Sequence, residues 1–259
     1  MNNVNKTLYI PLYGKAFVSN KGIILDDKKA EELWGKANIQ LKGKSKSKWL
    51  AYFMAMRAKV FDNWVKDKVE ENPDSIILHL GCGLDSRYLR VHINNLWYDI
   101  DFKDVIDERK IYFNETETYK MLSGDLTKKE WLTYIPNDKH VIVVMEGVSM
   151  YLSHEDLKKV LDRLNSHFDS ISFMMDCYSM KAAKLSKVKN PINDVGVYDV
   201  YGIDDPGLFE TDTFTYIKEH NMTPDTLIDE LLGMERKIFK SLYAGNLSKG
   251  LYKIYEYKK

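Results

Sequence analysis

The sequence predicts an α/β fold: a mostly parallel, doubly wound sheet completed by a terminal antiparallel hairpin. Three observations carry that expectation. From residue 76 onward, short apolar runs alternate with helical patterns. A glycine turn, Gly81-Cys82-Gly83, stands where the first of those runs ends. The chain finishes in two β-like runs around "AGNLSKG". Alternating strands and helices bury a parallel sheet between helical layers. With 259 residues, 44% of them apolar, one large domain can enclose a sizeable core.

The elements follow in order. Residues 27–40 read as a helix after Asp26-Asp27, and 47–70 as a longer one ending before Pro73, so 1–72 forms a helical cap. Strands are expected at 76–80, 96–100, 119–123, 141–145 and 171–176. Helices are expected at 84–93, 102–113, 128–133 and 153–167. Ser153 followed by Asp156 suits a helix N-terminus, with Glu155 and Asp156 well placed against the dipole. Residues 73–177 would then be the cofactor-binding core. The segment 178–207 reads as irregular, with Asn190-Pro191, Gly196, Gly202 and Asp205-Pro206, as in a lid or substrate loop. Helices at 211–220 and 224–233, the second opening at Thr223-Pro224, would complete a lid region over 178–233. The runs 236–243 and 251–257 would form the hairpin of 234–259 on the sheet edge.

Composition excludes several classes. Lys plus Arg equal Asp plus Glu at 38 each, which gives no broad attraction to nucleic acid or anionic membrane. The run "KGKSKSK" at 42–48 and the tail Tyr255–Lys259 read as solvated. No long apolar stretch opens the chain, so a signal peptide is not expected. The greasiest run, Val141–Leu152, is too short to span a bilayer and contains Glu146. Cys82 and Cys177 make neither a disulfide framework nor a metal cluster, and a reducing cytoplasm fits best.

The glycine turn focuses the functional reading. In doubly wound sheets, ligands bind beyond the carboxyl ends of the strands. Glycine lets the backbone turn there and approach a ligand closely. The dinucleotide fingerprint needs a third glycine, and that position is Ser86. Asp101 lies twenty residues after Gly81 at the end of the second strand, where an acid can accept both hydroxyls of a ribose. Asp99, two residues earlier, shares its face of the strand. A structural tight turn would explain the glycines alone. Asp125 after the third strand and Glu146 after the fourth add two more carboxylates at strand ends, and an ionisable group there is costly to leave unpaired. Glu146 could also reach solvent or cap a helix, but four strand ends that each bring a glycine or an acid suggest one shared ligand site. Arg57 lies on the apolar stripe of the 47–70 helix, seven residues from both Leu50 and Trp64, and needs an anion. That anion is either an internal Asp or Glu or a ligand carboxylate.

The segments "LHLGCGLDSRYLR", "WYDIDFKDVIDERK", "SGDLTKKEWL" and "VVMEGVSMYLSHEDLKKVL" resemble the successive motifs of the leucine carboxyl methyltransferase family. "TLYIPLYGKAFVSNKGIILDDKKAEELW" and "AYFMAMRAKVFDNWV" resemble its amino-terminal region. The family includes bacterial polyketide O-methyltransferases of the tetracenomycin type. The resemblance covers 7 to about 165 and fades from 178 onward. It implies a class I, Rossmann-like S-adenosylmethionine-dependent methyltransferase with a seven-stranded sheet. It also implies cofactor contacts. Lys15 and Arg57 match the basic residues near the methionine carboxylate, Gly81 the glycine turn, and Asp101 the ribose acid. Asp125 and Leu126 match the pair framing the adenine, and Glu146 the acid near the methionine amino group. The missing third glycine then has a reason, since S-adenosylmethionine has no pyrophosphate to seat. Ser86 departs from the family's usual Thr, and the short chain sits nearer the small-molecule branch.

The expected activity is O-methylation of a small-molecule carboxylate or hydroxyl. A protein carboxyl methyltransferase and a non-catalytic S-adenosylmethionine-binding protein are the alternatives. A nicotinamide-dependent oxidoreductase is disfavoured at Ser86. Methyl transfer needs alignment and water exclusion more than acid–base groups, and a carboxylate acceptor needs no base. His79, His140, His154 and His167 form no catalytic pair. Tyr151 is a candidate to line the transfer site, its alternative being a packed core tyrosine. Acceptor contacts are expected from 178–207, with Tyr178, Tyr198 and Tyr201, and from the helices after it.

Overall fold

The computed structural model describes residues 7–37, 41, 43–189 and 199–259. Among the described residues, α1 (Tyr9–Lys21), α2 (Lys28–Lys36) and α3 (Lys48–Glu71) precede the sheet. The sheet then builds through β1 (Ile76–Leu80), α4 (Arg87–Val91), β2 (Trp97–Asp101), α5 (Lys103–Tyr112), β3 (Tyr119–Ser123), β4 (Val141–Met145), α6 (His154–His167) and β5 (Ile171–Tyr178). It continues with α7 (Met180–Lys189), β6 (Thr215–His220), α8 (Asp225–Ile228), α9 (Gly233–Leu242), α10 (Asn246–Lys249) and β7 (Tyr252–Lys258).

The seven strands run in the order β3-β2-β1-β4-β5-β7-β6. The first five are parallel, and β7 runs antiparallel to both β5 and β6. β1 and β4 are buried along their whole length, as the apolar sequences "IILHL" and "VIVVM" require of strands covered on both faces. The register aligns Leu80 with Ile100 and Met145, Asp101 with Ser123, and Met145 with Met175. Gly81, Asp101, Gly124, Glu146 and Asp176 therefore fall along one carboxyl edge.

Alternate residues feed two cores. Ile77, Trp97, Ile142, Val144 and Ile254 pack toward the amino-terminal helices with Phe61, Trp64 and Val65 of α3. Leu78, Leu80, Val143, Phe173 and Tyr257 pack toward Leu157, Val160, Leu161 and Leu164 of α6. Ser153 caps α6 by accepting the Asp156 N–H at 3.1 Å, as its sequence predicts.

The carboxyl-terminal third departs from expectation. Residues 211–220, read as a helix, contain β6; its β-branched and aromatic Thr215, Tyr216 and Ile217 suit an edge strand, and Lys218 and Glu219 protect that edge. Residues 236–243, read as a strand, lie in α9 and the residue after it. Phe239 explains the reversal: it is fully buried against Val18, Tyr52 and Met56, so α8 and α9 dock on the helical cap and not on the sheet. The antiparallel pair is thus β6 with β7, joined through helices instead of a tight hairpin. Residues 180–189 are helical where an irregular lid was expected. Residues 190–198, including Tyr198, lie outside the described residues. The tail is not solvated: Tyr255 to Lys258 belong to β7, with Tyr255, Glu256 and Tyr257 buried. The 128–133 helix is a 3-10 turn at Glu130–Tyr134, and the 84–93 helix shortens to α4. No helix among the described residues is long and apolar enough to cross a membrane.

Candidate functional site

A cavity of about 830 Å³ opens along the carboxyl edge of the sheet, beneath α1 and α3. Lys15, Arg57, Gly81 and Asp101 line it, as do Asp125, Leu126, Glu146 and Tyr151. These eight of the residues singled out in the sequence therefore share one space.

The turn after β1 uses its glycines differently. Gly81 has φ +67°, and a Cβ there would lie 2.2 Å from Val148 Cγ2, so both backbone conformation and space demand glycine. Gly83, with φ +52°, donates its N–H to Asp101 Oδ2 at 2.8 Å. Asp101 Oδ1 accepts the Phe102 N–H at 2.7 Å. Burial pushes the Asp101 carboxyl up to about 6, and the two amide donors only partly oppose it. Asp99 does share that strand face, but it stays out of the cavity. It is buried and accepts from Trp97 Nε1 at 2.8 Å, Tyr119 Oη at 2.6 Å and Arg109. Arg109 in turn donates to the Gly83 carbonyl at 3.0 Å, so this core cluster holds the turn in place.

Asp125 accepts from Thr127 N at 2.9 Å and Thr127 Oγ1 at 2.7 Å, which fixes the loop that presents Leu126. Gly124 is needed because a Cβ would lie 2.7 Å from Trp131.

A buried ionic network backs the other end of the cavity. Lys15 pairs with Asp85 at 2.9 Å, and Arg57 Nε with Glu146 at 2.9 Å. Arg57 Nη1 reaches Asp176 at 2.9 Å. Arg87 bridges Glu146 and Asp62, while Arg90 bridges Asp62, Asp85 and Asp27. Burial raises the Glu146 carboxyl, but Arg57, Arg87 and Lys15 outweigh it and hold it at about 2. Burial lowers Lys15 against the opposing pull of Asp85. Arg57 therefore has the internal Asp and Glu partners of one reading and also lines the cavity. Ser86 is fully buried and its hydroxyl donates to Asp27.

Sequence reasoning passed over Arg87, Arg90, Asp62, Asp85 and Asp176. Two signals were available. Arg87 opens a helix, where the dipole disfavours a cation, so it calls for an anionic partner. Asp176 carried the signal that marked Glu146, an acid closing an apolar strand run, and was passed over.

The opposite half of the cavity is apolar and aromatic. Leu50, Phe53, Tyr178, Leu185, Tyr243 and Tyr252 face it. Tyr178 is there as expected, whereas Tyr201 is exposed and away from the cavity. Phe53 and Leu50 of α3, and Tyr252 of β7, were not expected there. Tyr151 is half-buried, its hydroxyl bonded to Thr7, and burial raises its pKa well above the usual tyrosine range. His79 reaches the cavity wall with both ring nitrogens engaged, by Asp99 at 3.2 Å and Arg87 at 3.1 Å, and burial lowers its pKa.

The sequence model of the leucine carboxyl methyltransferase family matches residues 3–165. The tetracenomycin polyketide synthesis O-methyltransferase TcmP of Streptomyces glaucescens is 28% identical over 214 residues, covering 82% of this chain and 79% of that protein. The S-adenosyl-L-methionine-dependent methyltransferase dpfgK of Gibberella zeae is 29% identical over 192 residues, 65% of this chain and 62% of its own. Among solved structures, magnesium protoporphyrin IX methyltransferase from Synechocystis PCC 6803 with bound SAH aligns with a TM-score of 0.55 at 11% identity, over 90% of this chain and 93% of that one. At that identity the likeness carries the fold alone, and the fold is that of the class I methyltransferases.

Proposed function

The chain belongs to the leucine carboxyl methyltransferase family, and from that premise we propose that it transfers a methyl group from S-adenosylmethionine to an oxygen of a small-molecule carboxylate or hydroxyl. The observation that carries the reading is the convergence of Lys15, Arg57, Gly81, Asp101, Asp125, Leu126 and Glu146 on one cavity.

The donor set suits this cofactor. Asp101 presents a carboxylate to ribose hydroxyls, with its outer lone pairs free to accept beyond the two amide bonds. Leu126 and the Asp125 loop would frame the adenine. Lys15 and Arg57 would meet the methionine carboxylate, and Glu146 the amino group. A dinucleotide suits it less, because Ser86 turns inward to Asp27 and the helix that follows is only five residues long.

When bound, S-adenosylmethionine supplies a methyl group activated by the sulfonium charge. The chain's own residues orient and exclude water. Phe53, Tyr178, Leu185 and Tyr252 wall the acceptor half with apolar surface. Tyr151 holds its proton firmly and so orients an acceptor oxygen as a donor; it does not act as a base. His79 has both nitrogens committed. This favours an acceptor that ionises by itself, with a carboxylate ahead of an alcohol.

Calorimetric titration with S-adenosylhomocysteine and with NAD tests the cofactor. Tight NAD binding with no response to S-adenosylhomocysteine would overturn it. Labelled methyl transfer to a panel of carboxylic acids, phenols and peptide C-termini, followed by mild base, tests the acceptor. An ester releases methanol and an ether does not. Labelling of peptide C-termini alone would move the protein to the protein-modifying branch, and labelling on nitrogen alone would overturn oxygen chemistry.

A further inference from the structure

The cofactor contacts proposed above come from the first 146 residues, but the geometry of two of them is set from farther along the chain. Asp176, at the end of β5, is fully buried. Its Oδ1 accepts the Gly147 N–H at 2.6 Å. Its Oδ2 accepts from Arg57 Nη1 at 2.9 Å and from the Tyr252 hydroxyl. That hydroxyl oxygen also accepts from Arg57 Nη1, so Arg57, Tyr252 and Asp176 close a three-membered ring of hydrogen bonds.

Each contact restricts something specific. Glu146 on one side and Asp176 on the other fork the guanidinium between two strand ends. Gly147, with φ +73°, leaves a bare backbone beside it; a Cβ there would stand 3.4 Å from Arg57 Nη2. The Gly147 amide bond to Asp176 fixes the peptide that follows Glu146. Tyr252 brings in the last strand of the sheet, and its ring also walls the acceptor half of the cavity beside Phe53.

We propose that Asp176 and Tyr252 are positioning residues that hold Arg57 and Glu146 in the geometry needed to grip the amino-acid end of the cofactor. The inference rests on the cofactor reading above. Neither residue needs to touch the cofactor: Asp176 acts through Arg57 and the Gly147 peptide, and Tyr252 through Arg57 and Asp176. The adenosine end, held by the glycine turn, Asp101 and the Asp125 loop, lies outside their reach. Their loss should therefore be felt by one end of the ligand and not by the other.

The test compares two probes, S-adenosylhomocysteine and adenosine, by calorimetric titration of the full chain. Tyr252→Phe keeps the ring and removes the hydroxyl. Asp176→Asn keeps the shape and removes the charge. Both should weaken S-adenosylhomocysteine binding, by about tenfold for the loss of a charged hydrogen bond, and leave adenosine affinity within twofold. Tyr255→Phe, three residues along the same strand, is the control. Its buried hydroxyl makes no hydrogen bond among the described residues, and it should bind both probes like the parent. Equal weakening of both probes in Tyr252→Phe would reduce the pair to general structural support and overturn the proposal. Parental affinity for S-adenosylhomocysteine in Tyr252→Phe would overturn it as well. A parent protein that binds no S-adenosylhomocysteine would instead overturn the cofactor reading itself. If Asp176→Asn melts far below the parent, Tyr252→Phe alone decides.

Discussion

The two halves of the cavity are built on opposite principles. The half at the ends of β1–β4 is ionic and over-determined. Lys15, Arg57, Arg87 and Arg90 interlock with Asp27, Asp62, Asp85, Glu146 and Asp176, all of them buried. The half walled by Phe53, Tyr178, Leu185, Tyr243 and Tyr252 is aromatic, and parts of it are open to water; Leu185 is 55% exposed. A buried charge is fixed by its partners, because moving one strands the other. Apolar contacts are non-directional and tolerate repacking. The rigid half suits a ligand of fixed shape, and the adaptable half suits one whose shape can vary.

The sharpest way to break that contrast is Arg87→Ala. It takes from buried Glu146 and Asp62 one of two guanidinium partners each, with Arg57 and Arg90 remaining, and removal of one partner from a buried pair costs up to about 3–5 kcal/mol. Urea unfolding should show a loss of that size. A loss under about 1 kcal/mol, typical of surface pairs, would mean the network is decorative.

Asp101→Ala should come next. It removes the proposed ribose acceptor and leaves the Gly83 amide unpaired. S-adenosylhomocysteine affinity should fall at least about tenfold, or roughly 1.5–3 kcal/mol. Parental affinity in a folded variant would remove Asp101 from the site.

The pH dependence sharpens the same point. Burial raises the Asp101 carboxyl to about 6. A raised acid favours folding when protonated. Its contribution is fully present below the ordinary carboxyl range and is lost as pH rises through about 6. Ribose hydroxyls favour the ionised form, so binding must displace that proton in acid. Affinity for S-adenosylhomocysteine should be flat above about pH 7 and fall by up to about tenfold per unit below about pH 6. In Asp101→Asn that slope should vanish. A slope that persists there would assign the titration to another group.

The smallest effect belongs to the open half. Leu185→Ala should change stability by less than about 0.5 kcal/mol, as exposed positions do. It should leave S-adenosylhomocysteine affinity unchanged while altering which acceptors are methylated. A tenfold loss of cofactor affinity would erase the division between the halves.

Much of the cofactor half was legible before the fold was known. Gly81, Asp101, Asp125 and Glu146 each follow an apolar run, and a parallel sheet must bring such positions to one edge. Arg57 was visible because a charge on an apolar stripe stands out. Arg90 and Asp62 were not, since a cation in a helix's last turn and a lone acid in the middle of a helix both look solvated until burial is known. The carboxyl-terminal third was misread for a related reason. "TFTYIKEH" and "RKIFKSLY" carry weak and mixed periodicity, so partners decided their form. Tyr257 and its neighbours in β7 made an edge strand of the first. The cleft between α1 and α3 made a helix of the second, by taking Phe239.

The sequence by itself determined the alternation of strands and helices through residue 176, the glycine turn and the acids at successive strand ends. These are local consequences of apolar period and of where a Cβ cannot fit. Only the tertiary structure decided that Asp176 and Tyr252, 76 residues apart in the chain, meet on Arg57. That meeting depends on β7 inserting antiparallel between β5 and β6, and strand insertion is set by the summed burial of the whole sheet. No local stretch of sequence encodes it.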